Sequence, residues 1–343
     1  MEAKTTGVVA VTGIGSMPGT DSAEATRIVA GELSVPHIVE LPARGPGGDV
    51  IGRTLGLLNA VTGEFAGETT PSGWRLSGSR AGGDPGRQMR RAASWLAEDA
   101  DHLEQSLEGF TGRVKVQVAG PWTLAASVES ARGTRILADS GACADLAAAV
   151  AEALGAQIAE VARRIPGATV VVQVDEPMLP IVVSGGVRTP SGRGAIRTPP
   201  PAELLAVLAA PVRVANGLGG VAAAHCCARQ VPFELFRRAG FDAISVDPDV
   251  LGTGADEALG TWWQSGGTVV LGVAPAVDRA RVTPESLARS VSGTWRRIGF
   301  GVEAVGSRTW LSPTCGLAGA SPGWARSVGG LMRKAAALLE SAE

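Results

Sequence analysis

The feature that most constrains the fold is a repeated alternation of short β-branched segments with longer segments rich in Ala, Leu and Arg. Such alternation predicts a parallel sheet with helical connections. Eight strand segments in one chain favour a closed (β/α)8 TIM barrel over an open doubly wound sheet, which is the alternative α/β fold. The predicted strands are Gly7–Thr12, Pro36–Leu41, Val114–Ala119, Ala168–Asp175, Val221–Cys227, Asp242–Asp247, Thr268–Val273 and Thr309–Ser312. The predicted helices are Ala23–Leu33, Pro85–Ser106, Ala144–Arg164, Pro201–Leu208, Phe233–Ala239, Pro284–Ile298 and Trp324–Ser341.

Residues 1–343 are predicted to form a single domain, because α/β barrels reach this length as one unit. Residues 43–86 interrupt the alternation and are rich in Gly, Pro and Ser. We expect a long loop insertion there.

The formal net charge of −2 gives no bulk attraction to nucleic acid or to an anionic membrane. We expect no membrane-spanning segment, since none approaches the roughly eighteen apolar residues that a bilayer requires. The apolar run Gly7–Val11 is too short for the core of a signal peptide. These features predict a cytoplasmic protein with small-molecule substrates.

The sequence Ala224-His225-Cys226-Cys227 ends the fifth predicted strand. Because side chains alternate along a strand, His225 and Cys227 share one face, directed to the barrel mouth, while Cys226 faces the helices. An imidazole and a thiolate on one face form half of a zinc site. The alternative is that both side chains simply pack in the core.

Two further segments complete a candidate Zn²⁺ site. Cys315 follows the eighth strand, and Asp247 ends the sixth, beside the fifth. With His225 and Cys227 they make four ligands of types that suit zinc. Asp247 has a second interpretation as a helix-capping carboxylate, with Asp249 able to replace it. A zinc with two thiolate ligands favours binding and ionising an incoming thiol, which predicts alkyl transfer to sulfur.

Two acidic residues at strand ends predict an amino-acid substrate. Asp175, in Gln173-Val174-Asp175-Glu176-Pro177, faces inward at the end of the fourth strand, and Glu40 ends the second. Carboxylates there can bind a substrate ammonium group, although a structural acid is equally common at barrel mouths. The turn Gly13–Gly19 does not have the dinucleotide-binding spacing, and its N–H groups can receive a carboxylate or form an ordinary tight turn.

Taken in order, these motifs resemble the cobalamin-independent methionine synthase family, specifically its C-terminal catalytic barrel as found in short single-barrel members. The matching segments are Ile14-Gly15-Ser16-Met17-Pro18, Glu40, Gly73-Trp74, Gly78-Ser79-Arg80, Gly120-Pro121-Trp122-Thr123, Gln173-Val174-Asp175-Glu176-Pro177, His225-Cys226-Cys227, Asp247 and Pro313-Thr314-Cys315-Gly316-Leu317.

The resemblance implies roles for individual residues. His225, Cys227 and Cys315 match zinc ligands, and Asp247 stands where the family has a ligand glutamate. Arg80 matches a loop that contacts the folate. The homocysteine pocket is matched by Ile14, Gly15, Ser16, Glu40 and Asp175, with Glu40 and Asp175 as the catalytic residues.

Three positions depart from the family pattern. Ser127 replaces a tryptophan that stacks on the pterin, and Ile181 replaces an acidic residue. The segment Gly272–Val277 lacks the family's proton-donating histidine. Methyl on folate N5 leaves poorly unless that nitrogen is protonated.

The resemblance therefore implies methyl transfer to homocysteine, giving methionine, with two candidate donors. One is of the 5-methyltetrahydrofolate type, and the other is a methylcorrinoid delivered by a corrinoid protein. The alternative functions are another zinc-dependent thiol alkyltransferase, a non-catalytic barrel that binds zinc or an amino acid, and a metal-free decarboxylase on a related barrel.

Overall fold

The computed structural model describes residues 8–77, 86–189, 191–252, 254–301 and 304–341. Its strands are β1 (Ala10–Val11), β2 (Gly67–Thr70), β3 (Gly73–Leu76), β4 (Arg113–Ala119), β5 (Thr169–Asp175), β6 (Val221–His225), β7 (Ala243–Val246), β8 (Thr268–Ala274) and β9 (Thr309–Pro313). Seven of these form one parallel sheet in the order β1-β9-β8-β7-β6-β5-β4, and β2 pairs with β3 as a separate antiparallel hairpin.

An extended segment, residues 35–40, joins the two edges of the sheet. On one side the Val35 N–H donates to the Val11 carbonyl at 3.0 Å. On the other side the Lys115 N–H of β4 donates to the Pro36 carbonyl at 2.8 Å. A ring of eight parallel segments is therefore closed, as the eight predicted strands require. The predicted (β/α)8 barrel is confirmed, and the open doubly wound sheet is excluded.

Helices surround the ring. They are α1 (Ser22–Glu32), α2 (Val50–Thr62), α3 (Gly86–Ser106), α4 (Pro121–Ser127), α5 (Ser140–Arg164), α6 (Leu179–Val183), α7 (Pro201–Gly217), α8 (Phe233–Ala239), α9 (Ala255–Gln264), α10 (Pro284–Ile298) and α11 (Pro322–Ser341). Several begin at the side-chain caps that the sequence offers. Asp21 accepts the Glu24 N–H at α1, and Thr283 forms a capping box with Ser286 at α10. The caps fix where each helix leaves the preceding loop.

The interior of the barrel has an apolar floor and a polar upper part. The floor is a buried cluster from seven of the eight segments in the ring, and the Arg113 guanidinium lies over one of its members, the Trp310 ring, at 5.5 Å. The members of the cluster are Ala10, Val35, Val171, Ala223, Ala243, Val270 and Trp310. Because inward side chains recur at every second residue, the next inward positions toward the carboxyl ends lie above this floor. There the side chains are polar, and the candidate site begins.

The segment 43–86, predicted as a long loop, contains the helix α2 and the hairpin β2–β3. Two glycines explain the difference. A Cβ at Gly52 would lie 2.6 Å from the Trp74 ring, and one at Gly56 would lie 2.6 Å from the Ala92 Cβ. These glycines allow a helix to pack closely against its neighbours, although a glycine-rich segment is typical of a loop. The helices α4, α6 and α9 were likewise not predicted.

Helix α5 also corrects an expectation from the sequence, since it is long and apolar enough to cross a membrane by length and composition. In the structure 56% of its most apolar window is buried. Its buried residues include Leu146, Val150 and Leu154. This helix packs in the outer layer of the barrel. An apolar composition that would suit a bilayer is explained here by burial against the rest of the barrel.

Candidate functional site

Three predicted ligands meet at the mouth of the barrel. His225 is the last residue of β6, Cys227 follows it by two positions, and Cys315 follows β9. One ligand atom from each lies within 4.8 Å of the others, and the two Sγ atoms are 3.9 Å apart. Two cysteines 88 positions apart in the sequence are thus brought together at the mouth of the barrel.

The His225 ring is held in one orientation. Its Nδ1 shares a hydrogen bond of 3.0 Å with Ser245 Oγ on the neighbouring strand β7. Its Nε2 is buried and, among the described residues, has no hydrogen-bond partner. A buried nitrogen without a partner is costly unless a ligand satisfies it. Together with two sulfur atoms, Nε2 makes a donor set that fits Zn²⁺.

The two thiols do not ionise alike. The neighbouring Cys227 thiol, followed by the His225 ring, lowers the pKa of Cys315 to about 4. The pKa of Cys227 is raised, first by its contact with Cys315 and then by burial. The pair therefore holds one negative charge readily and a second one with difficulty. A cation between the sulfurs is the arrangement that allows both to be thiolates.

Cys226 lies on the other face of the strand, as predicted. Its side chain is fully buried, and burial raises its thiol pKa to about 12. It is a small core residue that stays protonated. It is therefore a natural reference for its neighbour Cys227, which lies at the mouth.

Among the described residues, Asp247 lies outside this three-residue group, and its place as a fourth ligand stays a prediction. The half-buried carboxylate instead accepts the Asp249 N–H at 2.9 Å, within its own turn. The helix-capping alternative is not observed either, since the next helix, α9, begins at Ala255 after Gly254 and has no side-chain cap.

Glu40 lies beside the turn that follows β1. The Ser16 hydroxyl donates to Glu40 Oε2 at 3.0 Å. In the part of the chain that the structure describes, Glu40 Oε1 and Gln117 Oε1 are buried without hydrogen-bond partners. Burial raises the pKa of Glu40, an effect that Arg53 opposes most strongly. The Gln117 side chain also lowers this pKa, so the amide lies against the carboxylate, and together they form a polar pocket suited to a group with N–H donors.

Asp175 ends β5, where its Cα is in register with that of His225 on β6. Gln173 Nε2 donates to Asp175 Oδ1 at 2.7 Å. Burial raises the pKa of Asp175 to about 7, while the charge of His225 opposes that rise. The carboxylate is 7% exposed and stands between the Glu40 pocket and the sulfur atoms. Amino-acid and thiol groups of one small molecule can thus be held side by side.

The turn formed by Ile14, Gly15 and Ser16 borders the same space. The Leu317 N–H, two residues beyond Cys315, donates to the Ser16 carbonyl at 2.8 Å. For the described ranges, no protein acceptor receives the N–H of Gly15 or of Ser16. Free N–H groups beside a ligand cluster can receive a carboxylate.

One comparison with known families identifies the chain. A family model described as the catalytic domain of the cobalamin-independent synthase matches residues 104–338, which include Asp175, His225, Cys227 and Cys315. The chain belongs to this family. It is accordingly a 5-methyltetrahydropteroyltriglutamate–homocysteine S-methyltransferase-like enzyme. A comparison with curated proteins gives no match.

Two solved structures are similar at low identity. A B12-independent methionine synthase from Shewanella sp. W3-18-1, in complex with selenomethionine, is 18% identical with a TM-score of 0.46, covering 72% of this chain and 67% of that one. The catalytic domain of the GH26 endo-beta-1,4-mannanase from Bacillus sp. JAMB-750 is 10% identical with a TM-score of 0.39, covering 86% of this chain and 90% of that one. At these TM-scores neither likeness bears on function.

Beside the ligand trio, the mouth carries two of the positions at which the sequence was expected to differ from the family pattern. Ser127 ends α4, and Ile181 on α6 is 40% exposed. Ile181 lines an open depression of about 330 Å³ beside the carboxyl ends of β5 and β6. The residues around the depression are Pro177, Pro180, Ile181, Ser184, Ala228, Arg229 and Gln230. Arg80, the expected folate contact, lies outside the described residues.

Glu176 has a different role from its neighbour Asp175. Its carboxylate is fully buried and accepts the N–H groups of Trp122 at 2.9 Å and Thr123 at 2.7 Å, together with the Thr123 hydroxyl at 2.7 Å. A Cβ at Gly120 would lie 2.4 Å from this carboxylate. The Gly-Pro-Trp-Thr and Asp-Glu-Pro motifs of the family therefore interlock, and Glu176 anchors the start of α4.

Sequence reasoning missed Lys115 and Gln117, which lie inside the barrel on β4. Both are 2% exposed, and Gln117 Nε2 donates to the Ile38 carbonyl at 2.7 Å. The signal was present in Arg113-Val-Lys-Val-Gln-Val-Ala119, where polar side chains occupy every second position of a β-branched run. That period indicates an inward polar face.

Proposed function

We propose that this chain transfers a methyl group to the thiol of L-homocysteine, giving L-methionine, with Zn²⁺ bound by His225, Cys227 and Cys315. The observation that carries the proposal is the group of three ligand atoms within 4.8 Å, bordered by Asp175. Family membership supports the methyl transfer, and the donor set supports the metal. The expected setting is the cytoplasm, with small-molecule substrates.

In this proposal the amino-acid end of homocysteine is bound opposite the metal. Glu40 and Asp175 accept hydrogen bonds from the substrate ammonium, and the N–H groups of Gly15 and Ser16 donate to its carboxylate. Zn²⁺ at the cluster supplies the positive charge that ionises the incoming thiol. The amino-acid contacts then direct the sulfur to the side of the mouth where the methyl donor binds.

The methyl donor is the part of the reaction in which the chain differs most from its family. All three histidines of the chain, His37, His102 and His225, lie outside the loop after β8. Ile181 cannot donate a proton. A methylcorrinoid delivered by a corrinoid protein fits such a surface, because its methyl group passes to a thiolate without prior protonation of a leaving nitrogen. We therefore favour a methylcorrinoid over a methylfolate as donor.

Metal analysis of the purified protein tests the proposal, with two neighbouring cysteines compared. The wild type and Cys226→Ala are expected to hold about one zinc per chain and to form methionine from homocysteine. Cys227→Ser is expected to lose most of the zinc and the activity. Equal zinc content in the two variants, or zinc without methionine from any methyl donor, would contradict the proposal.

The other thiol alkyltransferase reaction is tested on the same protein. A panel of thiols without an amino group, assayed by mass spectrometry of intact products, is expected to give much less product than homocysteine. The reason is that a thiol without the amine leaves the buried carboxylates of Glu40 and Asp175 without the ammonium that they are proposed to bind. A faster reaction with a thiol that lacks the amine would favour the alternative substrate.

A further inference from the structure

Lys115 is a buried cation in the middle of the barrel. The residue is 2% exposed, and its ammonium donates to two neutral oxygens, the Ile14 carbonyl at 2.7 Å and Gln173 Oε1 at 2.6 Å. For the described residues it forms no ion pair with a carboxylate. A buried lysine without a direct ionic partner is unusual, and its contacts must account for its position.

Gln173 connects this ammonium to the amino-acid pocket. Because an ammonium only donates, the amide oxygen of Gln173 must face Lys115. The amide nitrogen then uses both of its hydrogens, donating to the Ile14 carbonyl at 2.8 Å and to Asp175 Oδ1 at 2.7 Å. Every polar atom of the amide has a partner, so its orientation is fixed by the network rather than by packing alone.

Lys115 and Gln173 together contact both of the elements proposed to bind the amino acid. At one end they hold Asp175, the proposed partner of the substrate ammonium. At the other end they hold the Ile14 carbonyl, which directs the turn that presents the N–H groups of Gly15 and Ser16. Burial lowers the pKa of Lys115 to about 8, and the charges of Asp175 and Glu40 oppose that change.

We infer that Lys115 is a positioning residue that, acting through Gln173, sets the pocket's preference for thiols bearing an α-amino acid group. The inference rests on the proposed function, because it assumes that Asp175 and the Ile14–Ser16 turn bind the amino acid. Lys115 itself does not touch the substrate. Its effect is to keep two separate binding elements at the spacing that one amino acid needs.

A role through charge alone and a role in positioning predict opposite changes in the affinity for a substrate ammonium. Lys115→Met removes a positive charge, and Gln173→Glu adds a negative one while preserving shape. If these residues acted only through their charge, both changes would tighten the binding of a substrate ammonium. A positioning role predicts weaker binding of the substrate ammonium in both variants. Lys115→Met removes the hydrogen-bond donor of the Ile14 and Gln173 oxygens. Gln173→Glu replaces the N–H donor to Asp175 with a second carboxylate oxygen.

Calorimetric titration of the zinc-loaded protein measures this without a methyl donor. The probes are L-homocysteine and 4-sulfanylbutanoic acid, which is the same thiol acid without the amine. Wild type and Lys334→Met, a change of an exposed lysine, are expected to bind homocysteine at least about tenfold more tightly than the amine-free probe. In Lys115→Met and in Gln173→Glu this ratio is expected to fall below about threefold, with zinc content unchanged.

The titrations distinguish a failure of the role of Lys115 from a failure of the proposed function. A ratio that stays at the wild-type value in both variants, or rises in either, would overturn the role of Lys115. Gln173→Glu preserves the volume of the interior, so it answers the question even if Lys115→Met does not fold. If the wild type binds neither thiol, the proposed function itself fails. If the wild type discriminates and the variants do not, both proposals stand.

Discussion

The two sides of the barrel mouth differ in the chemistry of the side chains that they present. The thiol side holds His225, Cys227 and Cys315 within reach of one cation and sets Asp175 beside them. The donor side presents Ser127, the exposed Ile181 and a loop after β8 without a histidine. Both sides use the ends of β5 and β6, so the difference between them lies in single side chains rather than in separate strands.

The largest expected effect separates the two methyl donors. In single turnovers of the zinc-loaded protein with homocysteine, methylcobalamin is expected to react at least about 100-fold faster than 5-methyltetrahydrofolate, because a missing general acid costs about 10² to 10⁴ in rate. Rapid quenching and quantification of methionine give both rates. A methylfolate rate equal to or above the methylcobalamin rate would show that the donor side supplies a proton after all.

Asp175→Asn tests the amino-acid end of the thiol side. The loss of a charge-assisted hydrogen bond of about 2 kcal/mol predicts roughly 30-fold weaker binding of homocysteine. Calorimetry measures the affinity, and Asp249→Asn, an exposed aspartate in the loop after β7, is the matched control with an unchanged value. A change of less than about threefold in Asp175→Asn would remove this carboxylate from the pocket.

Ser245→Ala tests the residue that orients the ligand histidine. Without the 3.0 Å hydrogen bond to Nδ1, the imidazole of His225 is free to rotate. Loss of such a partner predicts about tenfold weaker zinc binding, which competition with a chromophoric chelator measures. The exposed Ser327→Ala change is expected to leave the affinity unaltered. Equal affinities in the two variants would mean that packing alone orients the ring.

The smallest effect is expected at Asp247. Because its carboxylate caps its own turn, Asp247→Ala is expected to alter zinc affinity by less than about threefold, while the free energy of unfolding falls by about 1 kcal/mol. Chelator competition and urea denaturation measure the two quantities. A loss of zinc comparable to that of Cys227→Ser would mean that the turn rearranges to bring the aspartate to the metal.

The strands and the ligand trio were predictable from the sequence for one reason, the two-residue period. Short apolar runs marked all eight segments of the ring, and the two-residue alternation placed His225 and Cys227 on one face with Cys226 on the other. The closure of a barrel then brought Cys315 to them. These are short-range rules that a single sequence carries.

The remaining features depend on contacts between distant segments. Gly52 and Gly56 suggested a loop, but they permit helix packing that only the neighbouring residues explain. Glu176, which follows β5, caps the start of α4. The sequence around either segment does not predict this long-range contact. Lys115 lies in an alternating strand pattern, but it is in the middle of the strand, whereas functional residues of a barrel are expected at strand ends. Asp247 depended on the geometry of its own turn.

X-ray absorption of the zinc-loaded protein tests the central claim most directly, that an imidazole and two thiolates hold a metal which ionises an incoming thiol. The spectrum before substrate is expected to show two sulfur scatterers at about 2.3 Å and one nitrogen. Addition of L-homocysteine is expected to raise the sulfur count to three. An unchanged sulfur count, or no zinc retained by the protein, would contradict the account.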